Sequence, residues 1–319
     1  MRAIFFSDIH ITHKRPRARI DDYYSACIEK LQQIGELARK KQADFVSVAG
    51  DIYHYKSPGD NTFQCTNDLI DIFKSYSCPV FTIAGNHDLL YDSYEYIDRQ
   101  PYSTLVRSGA ITDVTNRSVL LVDDDGYKVR IIGVPYDKLA VASSFAYKKI
   151  NEDFSILLGH IGASPEGGNF FGTKLLSYQE IVDVSEADLF HFGHLHQQFG
   201  INQVANKWFI STGSITRGTS HIENIMKQPQ VAYVEFGKDY FRPTLIRLQV
   251  RDANEIFDLT QLKKVEQETN FEFFKALEDA VLMEDPVEQI LKSFNLTPEI
   301  QGLVNGYLNR GEADTKINF

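Results

Sequence analysis

Cysteine is scarce in this 319-residue chain, which holds only Cys27, Cys65 and Cys78. An odd number without C-x-x-C spacing reads as reduced thiols in a cytoplasmic compartment rather than a disulfide framework. Long apolar runs are also missing: none approaches the roughly 18 residues of a membrane span. The amino terminus, MRAIFFSDIH, ends its apolar run on Ser7 and Asp8. A signal peptide needs a longer apolar region and a small-residue cleavage site. Positive charge is in deficit, with 33 Lys and Arg against 43 Asp and Glu, a net of −10, which is not the balance of a free-standing nucleic-acid binder. The deficit is uneven. Residues 252–319 carry 14 acids and 6 bases, whereas residues 1–251 carry 29 and 27. What remains is ordinary: 43% hydrophobic and 24% charged residues exclude a disordered chain and suffice for a core without disulfide or structural metal.

Short apolar runs alternate with helical patterns through the first half. Runs at 3–7, 45–49 and 80–84 predict strands. Between them, Ile28, Leu31, Ile34 and Leu37 fall at helical spacing within 21–41, and Leu69, Ile70 and Phe73 share a face within 61–76. This rhythm predicts parallel strands with helices on the sheet faces. The runs 119–122 and 129–134 flank Asp123-Asp124-Asp125-Gly126 and predict a hairpin. Two buried strands follow at 155–158 and 189–192, then a β-rich stretch at 199–204, 208–211, 231–236 and 244–250. The expected fold is a mixed α/β sandwich ending in antiparallel strands, with a boundary near residue 251. Helices are expected beyond it, one opened by Asp285-Pro286-Val287-Glu288 and another by Thr297-Pro298.

Five segments follow apolar runs and end in metal-type ligands: Asp8-Ile9-His10, Gly50-Asp51-Ile52-Tyr53-His54, Gly85-Asn86-His87-Asp88, Gly159-His160 and Gly193-His194-Leu195-His196. Residues just past the carboxyl ends of strands in an α/β sheet converge on one edge. Five such ends are expected to bring Asp8, His10, Asp51, Asn86, His160, His194 and His196 into one pocket. Two Asp, one Asn and four His exceed what one tetrahedral zinc takes. Mixed imidazole and carboxylate ligands suit two divalent ions such as manganese, iron or zinc, with Asp51 able to bridge them. Two such ions stabilise the attacking and leaving oxygens of a displacement at phosphorus. A lone D-x-H or Gly-His is weak and Gly-Asn-His-Asp after a strand is moderately specific; the five in this order are specific.

The order D-x-H, G-D, G-N-H-D, G-H, G-H-x-H resembles the calcineurin-like metallophosphoesterases over residues 8–196. The resemblance implies a sandwich of two mixed β-sheets flanked by helices. It implies one metal on Asp8, His10, Asp51 and His196, and a second on Asp51, Asn86, His160 and His194. Mn2+ is favoured, with Mg2+, Fe2+ or Zn2+ as alternatives. His87 would meet the phosphate or protonate the leaving oxygen. Protein phosphatases of this superfamily usually carry Asp at the position of His54. A histidine there resembles the SbcD-type nucleases, which process DNA ends beside an SbcC-type coiled-coil ABC ATPase. The resemblance implies catalytic roles for His54 and His87, exonuclease action on duplex ends, endonuclease action on single-stranded or hairpin DNA, and a homodimer through helices around 61–76 and 92–107.

Lys14, Arg15, Arg17 and Arg19 follow the first metal motif directly and are expected to contact DNA phosphates, giving position without sequence information. Tyr53 flanks the site, and His191 reads as a core or supporting residue. The acidic tail, 252–319, is shorter than in SbcD-type chains and reads as a reduced cap, an ATPase-docking module, or both. Two rival functions share the pattern: a phosphatase or small-molecule phosphodiesterase, and a scaffold that has lost its metals.

Overall fold

The computed structural model describes residues 1–17, 19–170, 173–218 and 225–258. The chain divides into two compact units, Met1–Phe257 and Asp258–Phe319. The helices expected beyond residue 284 lie outside the described residues.

In the first unit two six-stranded sheets lie face to face. One has the order β15-β14-β1-β2-β3-β4. Its parallel strands are β1 (Arg2–Phe6), β2 (Phe45–Val48), β3 (Val80–Thr82) and β4 (Thr112–Asp113), with β14 (Gln230–Gly237) and β15 (Tyr240–Arg247) antiparallel at one edge. The other has the order β12-β13-β11-β7-β6-β5. There β6 (Lys128–Gly133), β7 (Phe154–Ile161), β11 (Leu189–His194) and β13 (Lys207–Ser211) are parallel. The antiparallel edges are β5 (Ser118–Val122) and β12 (Gly200–Val204). A small sheet of β8 (Ala163–Ser164), β9 (Gly168–Phe170) and β10 (Thr173–Ser177) lies beyond β7 and has no counterpart among the expected strands.

Side chains alternate along a strand, so each central strand feeds two cores. On β1, Ala3 and Phe5 enter the space between the sheets with Phe45, Ile156, Leu158 and Val234. Ile4 and Phe6 face the other way, onto the helices α1 (Tyr23–Lys41) and α2 (Phe63–Ser75), meeting Cys27, Leu31, Ile34 and Leu69. The N-cap Asp22 starts α1 by accepting from Ser25 N–H at 3.1 Å, and Arg39, Lys40 and Lys41 favour the dipole at its other end. On the outer face of the second sheet, Phe190, Phe192 and Phe209 pack against Tyr178 and Ile181 of the short helix Tyr178–Val182.

The expected fold class holds, and most strands fall within a residue or two of their expected ends. The last strand differs: it runs Tyr240–Arg247, not 244–250. Gly237 pairs with Tyr240 across a two-residue turn, and this register carries the ladder to Gln230↔Arg247, where it ends. The carboxyl ends of β1, β2, β3, β7 and β11 all open on one edge of the sandwich.

Candidate metal centre

The backbone at that edge is strained. Asp8, His10, Asp51 and His194 have φ of 54°, 49°, 53° and 88°, a region that costs an L-residue about 1–2 kcal/mol. Neighbouring loops hold it there: Asp8 N–H donates to Gly50 O and His10 N–H to Asp51 O, each at 3.1 Å. Strain of this kind gathers at functional sites. Two glycines make the approach possible. A Cβ on Gly85 would lie 2.2 Å from Asp51 Oδ1, and one on Gly50, whose φ is +83°, would lie 2.6 Å from His160 Nδ1.

The seven residues expected to bind metal meet here. His10 Nε2 lies 2.8 Å from His196 Nε2, 3.5 Å from Asp51 Oδ2 and 3.9 Å from Asp8 Oδ1. Asp51 Oδ2 is 3.2 Å from His160 Nε2. Asn86 Oδ1 is 3.1 Å from that nitrogen and 3.0 Å from His194 Nδ1. His160 Nδ1–H donates to Ala49 O at 2.7 Å, which directs Nε2 into the site. Asp8 accepts from His194 N–H at 3.1 Å, joining the two sheets.

Burial raises the Asp8 carboxyl to about 6, and nearby Asp51 adds to the rise. Asp51 goes the other way: burial opposes its charge, but His160, His10 and His87 overcome this and hold it below the usual range. Burial pushes His10 well down and His194 to about 4, so both rings offer lone pairs at neutral pH. His160 is raised to about 9, because Asp51 outweighs its burial.

These residues fit divalent cations. Ligand atoms of Asp8, His10 and His196 converge within 4.8 Å of one another, as do those of Asp8, Asp51 and His160. Two imidazole nitrogens aimed at one point, beside two buried carboxylates, form a donor set for ions that accept nitrogen and oxygen.

Residues 1–198 match the calcineurin-like phosphoesterase family. The chain belongs to that family. This phosphoesterase is 25% identical over 215 residues to the DNA double-strand break repair protein Mre11 of Archaeoglobus fulgidus, a match covering 61% of this chain and 46% of the archaeal protein. It is also 25% identical, over an alignment of 324 positions, to the SbcD component of the nuclease SbcCD of Staphylococcus epidermidis, covering 88% of this chain and 80% of that one. The chain thus spans about half the length of the archaeal relative. Among solved structures, a dimetal phosphatase from Danio rerio shares the fold, with a TM-score of 0.50 at 10% identity over 79% of this chain and 97% of that one.

His54 and His87 border the phosphoesterase centre. Their rings are near-parallel at 5.8 Å, and each meets the His10 ring edge-on, at 5.7 and 4.7 Å. Asp51 Oδ1 accepts from His87 N–H at 2.8 Å. A cavity of about 480 Å³ opens beside His10, His54, His87 and His196, with Lys14, Arg15, Arg17 and Tyr55 on its walls. Arg19 stands apart from these cations. It is buried, and its guanidinium grips Asp21 through two 2.7 Å bonds. That geometry leaves no face for DNA, so the expectation of a phosphate contact is corrected at this position. Its sequence neighbours, Lys14 and Arg15, give no signal that the chain turns inward here.

Tyr53 turns inward as well, with its hydroxyl donating to Thr66 Oγ1 at 3.2 Å in the core. His191 is buried, with Nδ1 2.9 Å from Ser47 Oγ. Three further residues support the site beyond those expected from the sequence. Asp88 accepts backbone N–H bonds from Ile52, Tyr53 and Gly85 at 3.0–3.2 Å, tying two ligand loops together. Tyr136 sets its ring 6.1 and 6.0 Å from those of His160 and His194. Lys227 Nζ donates to His196 O at 3.2 Å. Only Asp88, last in Gly-Asn-His-Asp, carries a sequence signal.

No helix among the described residues is long and apolar enough to cross a membrane.

Proposed function

We propose that this phosphoesterase is a DNA nuclease, acting as an exonuclease on duplex ends and an endonuclease on single-stranded or hairpin DNA. It would serve as the nuclease component of a cytoplasmic SbcC–SbcD-like complex in DNA repair and recombination. The observation that carries this reading is the continuity of the candidate metal centre with the cation-walled cavity. A phosphodiester reaching the centre through it has flanking phosphates within range of Lys14, Arg15 and Arg17. Two relatives bear names of DNA repair and nuclease proteins, which supports the same substrate.

Asp8, His10, Asp51 and His196 would hold one cation, and Asp51, Asn86, His160 and His194 the other; Mn2+ is the favoured ion. Bound there, the pair supplies activation of water and charge neutralisation at phosphorus. His87 N–H on Asp51 and its Nδ1–H on a backbone carbonyl fix the ring with Nε2 free, so that its imidazolium form, having taken a proton at Nε2 from solvent, can give that proton to the leaving oxygen. His54 packs against His87 and shapes the cavity mouth. Tyr55 offers a ring on which a base can stack.

An SbcC-type ATPase and a second copy of this chain are the proposed protein partners, with the segment after Phe257 docking the ATPase. Ile256 and Phe257 are buried in the first unit, so the cut that tests docking belongs after residue 257. Such a chain is expected to keep basal nuclease activity and lose the ATPase.

The deciding measurement is turnover of an end-labelled duplex beside that of a nucleotide monoester, with manganese. Cleavage of the duplex is expected. Turnover confined to the monoester would remove the DNA reading in favour of a phosphatase.

A further inference from the structure

A second cavity, of about 230 Å³, lies on the other side of Tyr23 and Thr216, which line both it and the cavity of the metal centre. Its walls come from α1, from residues 215–217 and from residues 249–256. Four cations line it: Arg19, Lys30, Arg217 and Arg251. The first three are nine-tenths or more buried, at 4%, 7% and 6% exposure.

The carboxylates do not match them. The acids among the lining residues are Asp21 and Glu29. Asp21 is engaged by Arg19 at 2.7 Å, and Glu29 by Arg251 at 3.0 Å. Lys30 and Arg217 have no carboxylate ion pair among the described residues. Lys30 Nζ donates to Gln249 O at 2.5 Å, and Arg217 to Arg251 O at 2.5 Å and Ile225 O at 3.4 Å. Glu29 acts on Lys30 through space, and Asp21 and the exposed Asp252, which lies outside the lining, act on Arg217; none of the three is in ion-pair contact with either cation. Burial lowers the Lys30 ammonium, and burial and then Arg19 lower the Arg217 guanidinium.

Burying a charge without a counter-charge is costly, and carbonyl dipoles offset only part of the loss. Two cations kept in this state at one wall of an open cavity form a site for a dianion. A guanidinium fork beside an ammonium suits tetrahedral oxyanions, phosphate above all. We propose that this cavity binds a phosphate group, free or as a phosphomonoester, between Lys30 and Arg217. The site is separate from the candidate metal centre, and the proposal does not depend on DNA being the substrate. Tyr23 links the two: its hydroxyl donates to His10 O at 3.2 Å, and its ring carries the Arg19 guanidinium 5.2 Å from its centroid.

The test is thermal unfolding of the full metal-loaded chain in phosphate and in chloride of equal ionic strength. A saturable rise of about 4 °C with phosphate is expected. Lys30→Met removes an unpaired buried cation; it should fold, match or exceed the wild-type Tm without phosphate, and lose the rise. Ala26→Glu places a carboxylate in the cavity wall. It should raise the phosphate-free Tm and abolish the response, and it decides the matter alone if Lys30→Met does not fold. A deoxynucleoside 5′-monophosphate titrated in parallel distinguishes the sources. Equal half-saturation assigns free phosphate and a tenfold lower value assigns an ester; both support the site. A wild-type chain indifferent to phosphate, or variants that respond as the wild type does because phosphate acts at the metal centre, would overturn it.

Discussion

His87 Nδ1 sits 2.5 Å from the backbone carbonyl oxygen of His54. The bond fixes the tautomer, leaving Nε2 at the ring's free end. Orientation of His87 therefore comes from the main chain of residue 54, whatever its side chain. His87→Ala should keep metal content and lose about 10²–10⁴ in kcat. His54→Ala keeps the carbonyl and should cost less, with a larger share of its effect in KM. Metal analysis and steady-state kinetics on the two variants check this; loss of metal from His87→Ala would contradict its role as a non-ligand.

Gly85→Ala should strike the metal centre and the loop that carries it together. The added Cβ meets Asp51 Oδ1 at 2.2 Å and the Asp51 backbone N at 2.4 Å, so the carboxylate between the two ligand groups and its own main chain must both move. Gly85 has no left-handed φ, so the cost lies in that contact and not in its own backbone conformation. Metal stoichiometry and affinity should fall, and Tm should fall with them, as read by metal titration beside circular dichroism.

Asp88→Ala should act through the backbone. Its carboxylate satisfies three buried N–H groups, on Ile52, Tyr53 and Gly85. Orphaning such donors costs about 1–3 kcal/mol. Burial, with Asp51 adding to it, raises this carboxyl to about 7. A protonated or amide form still accepts, so Asp88→Asn should lose less than Asp88→Ala in urea denaturation.

The five strand exits were legible because each apolar run stops on a ligand-type residue, and parallel sheets present such exits on one edge. What was not legible depends on contacts distant in the chain. The left-handed φ of Asp8 and Asp51 is imposed by pairing between their two loops. Tyr53 and Arg19 adjoin site residues, yet both turn inward. Tyr53 does so because the core under α2 receives its ring, and Arg19 because Asp21 and the carbonyl of Arg217 receive its guanidinium. Local pattern marks where a loop begins; the fate of each loop side chain is settled by partners that pattern does not contain.

Glu152 gives a pH dependence away from the metal centre. Burial would raise it, but the Tyr147 hydroxyl and Arg130, whose Nε is 2.9 Å away, hold it at about 2. The folded value lies below the unfolded one, so its contribution is present above about pH 4.5 and is lost as pH falls toward 2. Glu152→Gln should destabilise by about 1–3 kcal/mol at pH 7. The gap from wild type should narrow as the pH is lowered from 5 toward 3. A gap independent of pH over that range would remove the electrostatic account.

Lys14, Arg15 and Arg19 lie within six positions of one another and should behave in opposite ways. Lys14 and Arg15 are exposed on the cavity wall. Replacing either by Ala should leave Tm unchanged, weaken DNA binding evenly across sequences, and lower the slope of log K against log salt by about 1. Arg19 is buried in its pair with Asp21. Arg19→Ala strands a carboxylate and should cost about 3–5 kcal/mol of stability, while the salt slope of the folded fraction stays that of the wild type. Fluorescence anisotropy over a salt series, beside thermal unfolding of the same samples, separates the two outcomes. A salt slope lowered by Arg19→Ala as much as by Arg15→Ala would place that guanidinium on the DNA after all.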